Sequence, residues 1–198
     1  HGIGLDAADV SWRHALPALA EERRVYALDF PGHGGSEKPR LTYSNEFFRR
    51  TLAAFLEDRG LRDGPLDLVG VSMGGGVALG HALATGGVDR LVLVNSYGLG
   101  GDAPWRPAAA AMLRTPFAHR GWWAGVASSR TAVREHLRPM VGGSPPAELV
   151  EDVYGAVQEA AVGRTVASWQ RDEFRPDGLA TDHSDRLDGL DAETLLVH

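Results

Sequence analysis

At 198 residues, with 43% hydrophobic and 23% charged side chains, the chain has the composition of a single soluble globular domain with room for an insertion. A formal charge of −6, with Lys and Arg outnumbered and nowhere in a dense run, argues against nucleic acid and anionic membrane and favours a small neutral or apolar partner. No cysteine is present, which excludes disulfides, zinc–thiolate sites and thiol nucleophiles; no apolar run reaches membrane-spanning length, and neither metal nor cofactor is expected. The chain starts at His1 without a methionine and stops at His198 at the end of an apparent strand, so it reads as a fragment cut at both ends. Any targeting segment would lie outside it, and a cytoplasmic location is the expectation.

In chain order, a Gly-rich start (His1, Gly2, Ile3, Gly4) precedes a helix expected over residues 10–22, with Trp12, Leu16 and Leu19 on one face. Residues 24–30 read as a buried parallel strand running into a loop that contains Gly32, His33, Gly34 and Gly35. A phosphate cradle is the competing reading of that loop. It fails because Glu37 stands where a third glycine is needed and Lys38 follows no P-loop spacing. His33 precedes the candidate nucleophile in the chain and is read as structural. Residues 43–59 form a helix behind possible caps Thr42 and Ser44, with Phe48, Leu52, Phe55 and Leu56 as core, and Gly60 ends it. A turn at Asp63, Gly64 and Pro65 leads into a strand, a helix closing at Gly86 and Gly87, and another strand over residues 89–95.

From residue 98 to about 181 strand-like runs are absent. Segments of helical period (108–113, 117–127, 131–140, 146–161 and 164–174) alternate with Pro and Gly breaks. Ser144 and Pro145 are expected to open the longest of them, with Val150, Val153, Tyr154, Val157 and Ala161 on one face. Trp105, Trp122, Trp123 and Trp169, with Phe117, Met112 and Met140, are expected mostly to hold this segment to itself, a minority facing the site. Residues 187–197 return to the sheet through a short helical turn.

Ser72 stands between the apolar run Leu66, Leu68, Val69, Val71 and the helical run Val77, Ala78, Leu79, Ala82, Leu83. A turn that tight forces the serine into a sparsely populated backbone conformation and brings the residues two positions either side together. Gly70 and Gly74 meet that demand. The turn lifts the hydroxyl clear of the sheet and sets the Met73 N–H, at the following helix's N-terminus, where a negative oxygen would develop.

Gly70-Val71-Ser72-Met73-Gly74 in this context resembles the nucleophile elbow of the α/β-hydrolase superfamily. Asp29 through Ser36 resembles that family's D-x-P-G-x-G-x-S turn, and His1-Gly2-Ile3-Gly4 its oxyanion loop. The resemblance implies a partial α/β-hydrolase fold: a mostly parallel sheet with flanking helices and an α-helical cap insertion. The core would cover residues 1–99, the cap 100–183, and the truncated return to the core 184–198. It also implies Ser72 as nucleophile, with the backbone N–H groups of Met73 and Ile3 holding the oxyanion.

The family's chain order is Ser, acid, His, so both partners of Ser72 are expected beyond His198 and absent from this chain. His198 and His81 are read as structural, and His119, His136 and His183 belong to the cap or its return. An internal triad of Ser72, Asp102 and His183 is the alternative arrangement, although Asn95 and Ser96 occupy the place where a carboxylate would normally stand. The expected function is a serine hydrolase cleaving an ester, thioester or activated C–C bond of an apolar small molecule. The alternative is a non-catalytic small-ligand-binding or receptor protein that uses the same capped pocket.

Overall fold

The computed structural model describes residues 1–101, 106–175 and 177–198. Asp102 and Trp105, singled out above, lie outside them. The chain opens with two short helices, α1 (Ala8–Ser11) and α2 (Ala15–Ala20), in place of the single helix expected over residues 10–22. Pro17 accounts for the break: it has no N–H to give to Arg13, and its ring would meet that carbonyl. A longer helix follows, α3 (Asn45–Asp58), whose N-cap Ser44 accepts the Phe47 N–H at 3.0 Å. Then come strand β1 (Asp67–Val71), helix α4 (Met73–Thr85) and strand β2 (Arg90–Val94).

Between β2 and the last strand the described residues hold only helices: α5 (Arg106–Arg114), α6 (Pro116–Val126), α7 (Arg130–Leu137), α8 (Ala147–Val157) and α9 (Ala160–Glu173). A 3₁₀ turn at Ser184–Gly189 leads to β3 (Glu193–Val197). The helix expected over residues 146–161 ends at Val157. Glu159, with φ −78° and ψ 104°, leaves the helical region, which frees α9 to start in a new direction. Ser144 does not cap α8; Pro146 holds the N-cap position without a side-chain bond.

The three strands are parallel in the order β1–β2–β3, with Val69 opposite Val92 and Val92 opposite Leu195. Parallel neighbours need crossovers, and the helices supply them. Residues 24–30, expected as a fourth, buried strand, carry no ladder and, up to Phe30, are exposed or half-buried. No strand among the described residues lies beside them, and Tyr26 is 42% exposed in consequence. An extended segment becomes a strand only by pairing, which local pattern does not supply.

Three apolar clusters hold the molecule. One packs α4 on the sheet through Leu79, Ala82, Leu91 and Leu93. A second binds α6, α7 and α8 to each other through Val126, Val133, Leu137, Val150, Val153 and Val157. The third joins the inserted helices to the sheet layer: Leu113, Trp169 and Phe174 pack with Met73, Val77, Phe30 and Phe48. The aromatic side chains of the insertion therefore divide. Trp122 and Trp123 serve their own helices, Trp169 turns to the sheet layer, and Phe117 and Met140 are exposed, at 80% and 66%.

Candidate active site

Ser72 ends β1 and caps α4 with φ 51° and ψ −118°, a sparsely populated conformation that costs about 1–3 kcal/mol. Its neighbours fix it there. The Ser72 N–H donates to the Val94 carbonyl at 3.0 Å, and its own carbonyl accepts from Gly75, Gly76 and Tyr97 at 3.0, 3.2 and 3.0 Å. Two glycines make the turn possible. A Cβ on Gly70 would sit 2.5 Å from the Gly74 carbonyl oxygen, and one on Gly74 would sit 2.6 Å from that of His1. The first is the contact across the turn expected from sequence; the second shows that residues 1–4 lie directly against it.

Those four residues are pinned one by one. His1 Nδ1 donates to the Gly2 carbonyl at 2.7 Å, which leaves Nε2 to accept the Phe30 N–H at 3.0 Å. The Gly2 N–H donates to Asp6 Oδ2 at 2.5 Å, and the Gly4 N–H to His33 Nε2 at 3.3 Å. Gly2 passes so close to the serine that an added Cβ would lie 3.6 Å from Ser72 Cβ. Ile3, between the two pinned glycines, keeps an N–H without an acceptor among the described residues, and so does Met73 at the first position of α4. Two unspent donors therefore stand near a serine whose hydroxyl is also without a partner among the described residues.

His33 is fully buried, and its Nε2 lone pair is taken by Gly4. Burial pushes its imidazole down from 6.5 to about 4, so it stays neutral and serves as an acceptor in the loop. Asp29, at the head of the same turn, accepts the Ala8 and Gly35 N–H groups at 2.7 and 2.8 Å, while its carbonyl accepts the Ser36 hydroxyl at 2.6 Å. The turn thus braces residues 1–8. Helix α9 closes on the pair from outside: a Cβ on Gly32 would meet Thr165 Cγ2 at 2.5 Å, and one on Gly4 would meet Val166 Cγ2 at 3.2 Å.

His183 does not join Ser72. Its backbone N–H donates to Gly98, and its ring lies against Gly80, roughly 12 Å of helix rise beyond the serine. Burial lowers its pKa. His81 sits on α4 with Nε2 3.2 Å from the Thr85 hydroxyl, and His119 and His136 flank Trp122 within the inserted helices. Among the described residues none of the histidines hydrogen-bonds the serine.

A cleft of about 400 Å³ runs between residues 4–10 and α8, lined by Gly4, Asp6, Asp9, Glu151, Asp152 and Glu159 among others. Ser72 is not in its lining. Arg13 spans from the α1–α2 turn to Glu148 and Asp152 at 2.5 and 2.6 Å, and Lys38 reaches Glu159 at 3.2 Å. On the residues next to the serine the packing is apolar: Trp169 lies 5.4 Å from the Tyr97 ring and belongs to one cluster with Met73.

A buried polar group around Glu173 was not singled out from sequence. Glu173, fully buried, accepts from Thr181 and Asn45, and Asn45 in turn accepts from Trp169. The sequence carries one signal for it. Val162, Val166, Trp169 and Glu173 follow helical spacing, so a carboxylate occupies the fourth place of an apolar stripe.

Comparison with known proteins bears on the whole assembly. The profile of the alpha/beta hydrolase family matches residues 1–197. The 2-hydroxy-6-oxo-6-(2'-aminophenyl)hexa-2,4-dienoic acid hydrolase of Metapseudomonas resinovorans is 39% identical over 101 residues, half of this chain and 34% of that protein. The 2-hydroxymuconate semialdehyde hydrolase of Pseudomonas sp. (strain CF600) is 38% identical over 125 residues, 58% of this chain and 44% of that protein. The chain spans half or less of the length of these two curated relatives. Among solved structures, an alanine-to-valine mutant of the meta-cleavage product hydrolase CumD superposes with a TM-score of 0.74 at 26% identity, covering 100% of this chain and 70% of its own. Among the described residues no helix is long and apolar enough to cross a membrane. The profile match over nearly the whole chain, on a parallel sheet whose strand-to-helix turn carries Ser72, makes this chain a member of the alpha/beta hydrolase family.

Proposed function

We propose that this chain carries the nucleophile and the oxyanion donors of a serine hydrolase acting on an ester, thioester or activated C–C bond of an apolar small molecule. The observation that carries the proposal is Ser72 at φ 51° beside two N–H groups, of Met73 and Ile3, that have no acceptor among the described residues. Ser72 Oγ attacks the carbonyl carbon and passes its proton to a histidine base. The carbonyl oxygen, now negative, is held by the two N–H groups; the leaving group departs with that proton, and water then releases the acyl enzyme. Relatives named for hydrolysing 2-hydroxy-6-oxo dienoates and a semialdehyde support C–C hydrolysis as one branch. The inserted helices act as a cap whose apolar residues, Trp169 foremost, exclude water from the serine. In this reading the acid and the base lie beyond residues 1–198, as the order Ser, acid, His implies, and the lack of a bond from any described histidine to the serine supports it.

A fluorophosphonate probe applied to the protein in its full gene context tests this. Labelling that disappears in Ser72→Ala is expected; no labelling, or labelling that survives the substitution, refutes it. Residues 1–198 alone should hydrolyse short nitrophenyl esters no faster than their Ser72→Ala variant, because general-base assistance worth about 10²–10⁴-fold is missing. A Ser72-dependent rate in that chain would place the base inside it and return His183 and Asp102 to the front.

A further inference from the structure

The buried polar group beneath Trp169 has only one consistent arrangement of donors and acceptors. The Trp169 Nε1–H, which can only donate, meets Asn45 Oδ1 at 3.0 Å. The Asn45 amide therefore turns its Nδ2 the other way, to Glu173 Oε2 at 3.1 Å and Thr181 Oγ1 at 2.7 Å. Glu173 must then accept, which it does on both oxygens: Oε1 takes the Thr181 N–H at 2.5 Å and Oε2 takes the Thr181 hydroxyl at 2.9 Å besides Asn45. The group ties four places together: the N-terminus of α3, the C-terminus of α9, the returning chain at Thr181 and the indole of Trp169. That indole packs 5.4 Å from the Tyr97 ring, and the Tyr97 N–H in turn donates to the Ser72 carbonyl.

Glu173 is fully buried and Asn45 is buried to within 7% exposure. Burial raises the carboxyl's pKa while Thr181 and the neighbouring Tyr97 hydroxyl oppose the rise. A carboxylate in such a place is costly, and an apolar residue would continue the α9 stripe.

We propose that Glu173 and Asn45 are positioning residues: acting through the one amide, they hold the Trp169 indole against Tyr97 and Met73 as the apolar wall beside Ser72, and so set which acyl or ring group that wall admits. The last clause rests on Ser72 being the nucleophile; the positioning itself does not.

The test follows the indole N–H of Trp169 by NMR in the 198-residue chain, assigned with Trp169→Phe, in three variants. Glu173→Gln puts an amide NH₂ against the donors of Thr181 or Asn45, so the Asn45 amide is pushed to turn. Exchange of the Trp169 indole proton should then rise about tenfold, the equivalent of one hydrogen bond, relative to amides of α4, although Glu173 does not touch that proton. Asn45→Asp sets carboxylate against carboxylate and should release the indole likewise. The double variant Asn45→Asp, Glu173→Gln restores the pattern with the charge moved: the carboxylate now on α3 would accept from the indole and from the new amide on α9, and protection should return to near that of the parent chain.

A general loss of stability would speed exchange in α4 equally and would not be rescued by the exchange of partners. Indole exchange unchanged in Glu173→Gln, or a double variant as unprotected as the singles, overturns the proposal. If a single variant fails to fold, the double decides alone, and failure of the double to fold also overturns it. The selectivity clause is read separately, from the ratio of labelling by a bulky aryl and a small alkyl fluorophosphonate in the full gene product. Glu173→Gln should move that ratio severalfold, and an unmoved ratio withdraws the clause. Absence of labelling in the unsubstituted protein refutes the nucleophile reading and leaves the indole result standing.

Discussion

Acidification should destabilise this chain through His33 in a way that one substitution isolates. The folded protein buries the ring completely and pushes its pKa from 6.5 to about 4, so the native state declines a proton that the unfolded chain accepts. The stability owed to the neutral ring is therefore complete above pH 6.5 and lost as pH falls towards 4. At about 1.4 kcal/mol for each pH unit, that interval amounts to about 3 kcal/mol, a large share of the 5–15 kcal/mol typical of a domain. His81, His119, His136 and His183 are also lowered by burial, so they steepen the same slope, and the unsubstituted chain alone cannot assign it. His33→Gln separates them, because glutamine offers an acceptor near the position of Nε2 and does not titrate. Urea denaturation of both chains from pH 7.5 to 4 should show the stability curves converging by about 3 kcal/mol as pH falls. Curves that stay parallel would mean that His33 takes up its proton in the native state, and the reading of it as a neutral acceptor for the Gly4 N–H would be wrong.

Two further outcomes follow from the backbone and the sheet edge. Gly34 has φ 44°, and a Cβ there would fall within the carboxylate of Asp29, which receives the Ala8 and Gly35 N–H groups; Gly34→Ala should cost about 3 kcal/mol in urea denaturation. Gly60→Ala, at φ 65° after the C-terminus of α3 with nothing within 4 Å, carries the left-handed penalty alone and should cost about 1 kcal/mol; equal losses at the two sites would remove Asp29 from the explanation. At the sheet edge β3 exposes Leu195, Leu196 and Val197 at 57%, 63% and 43%, so the chain should self-associate with rising concentration. Leu196→Lys should raise the monomer fraction in analytical ultracentrifugation, and an unchanged distribution would show that association, if present, uses another surface.

What the sequence determined by itself is what depends on residues near one another in the chain. The spacing of Gly70, Ser72 and Gly74 between an apolar run and a helical run predicts a strained turn, and φ 51° at Ser72 meets it. The Ser44 cap and the apolar face of α8 are likewise local in their causes. Pro17 marked the break between α1 and α2, and a helix drawn across residues 10–22 gave its missing N–H too little weight. What only the tertiary structure decided is what depends on partners far along the chain. Residues 24–30 have strand composition and no ladder, because a ladder needs a neighbour. His33 takes its role from Gly4, 29 residues away, and the Gly74 requirement comes in part from His1. Asn45 and Glu173 are 128 residues apart, and nothing local to either announces the other. Periodicity tells which face of a helix is buried, whereas the donor or acceptor that a buried polar group meets there is settled only when the elements pack.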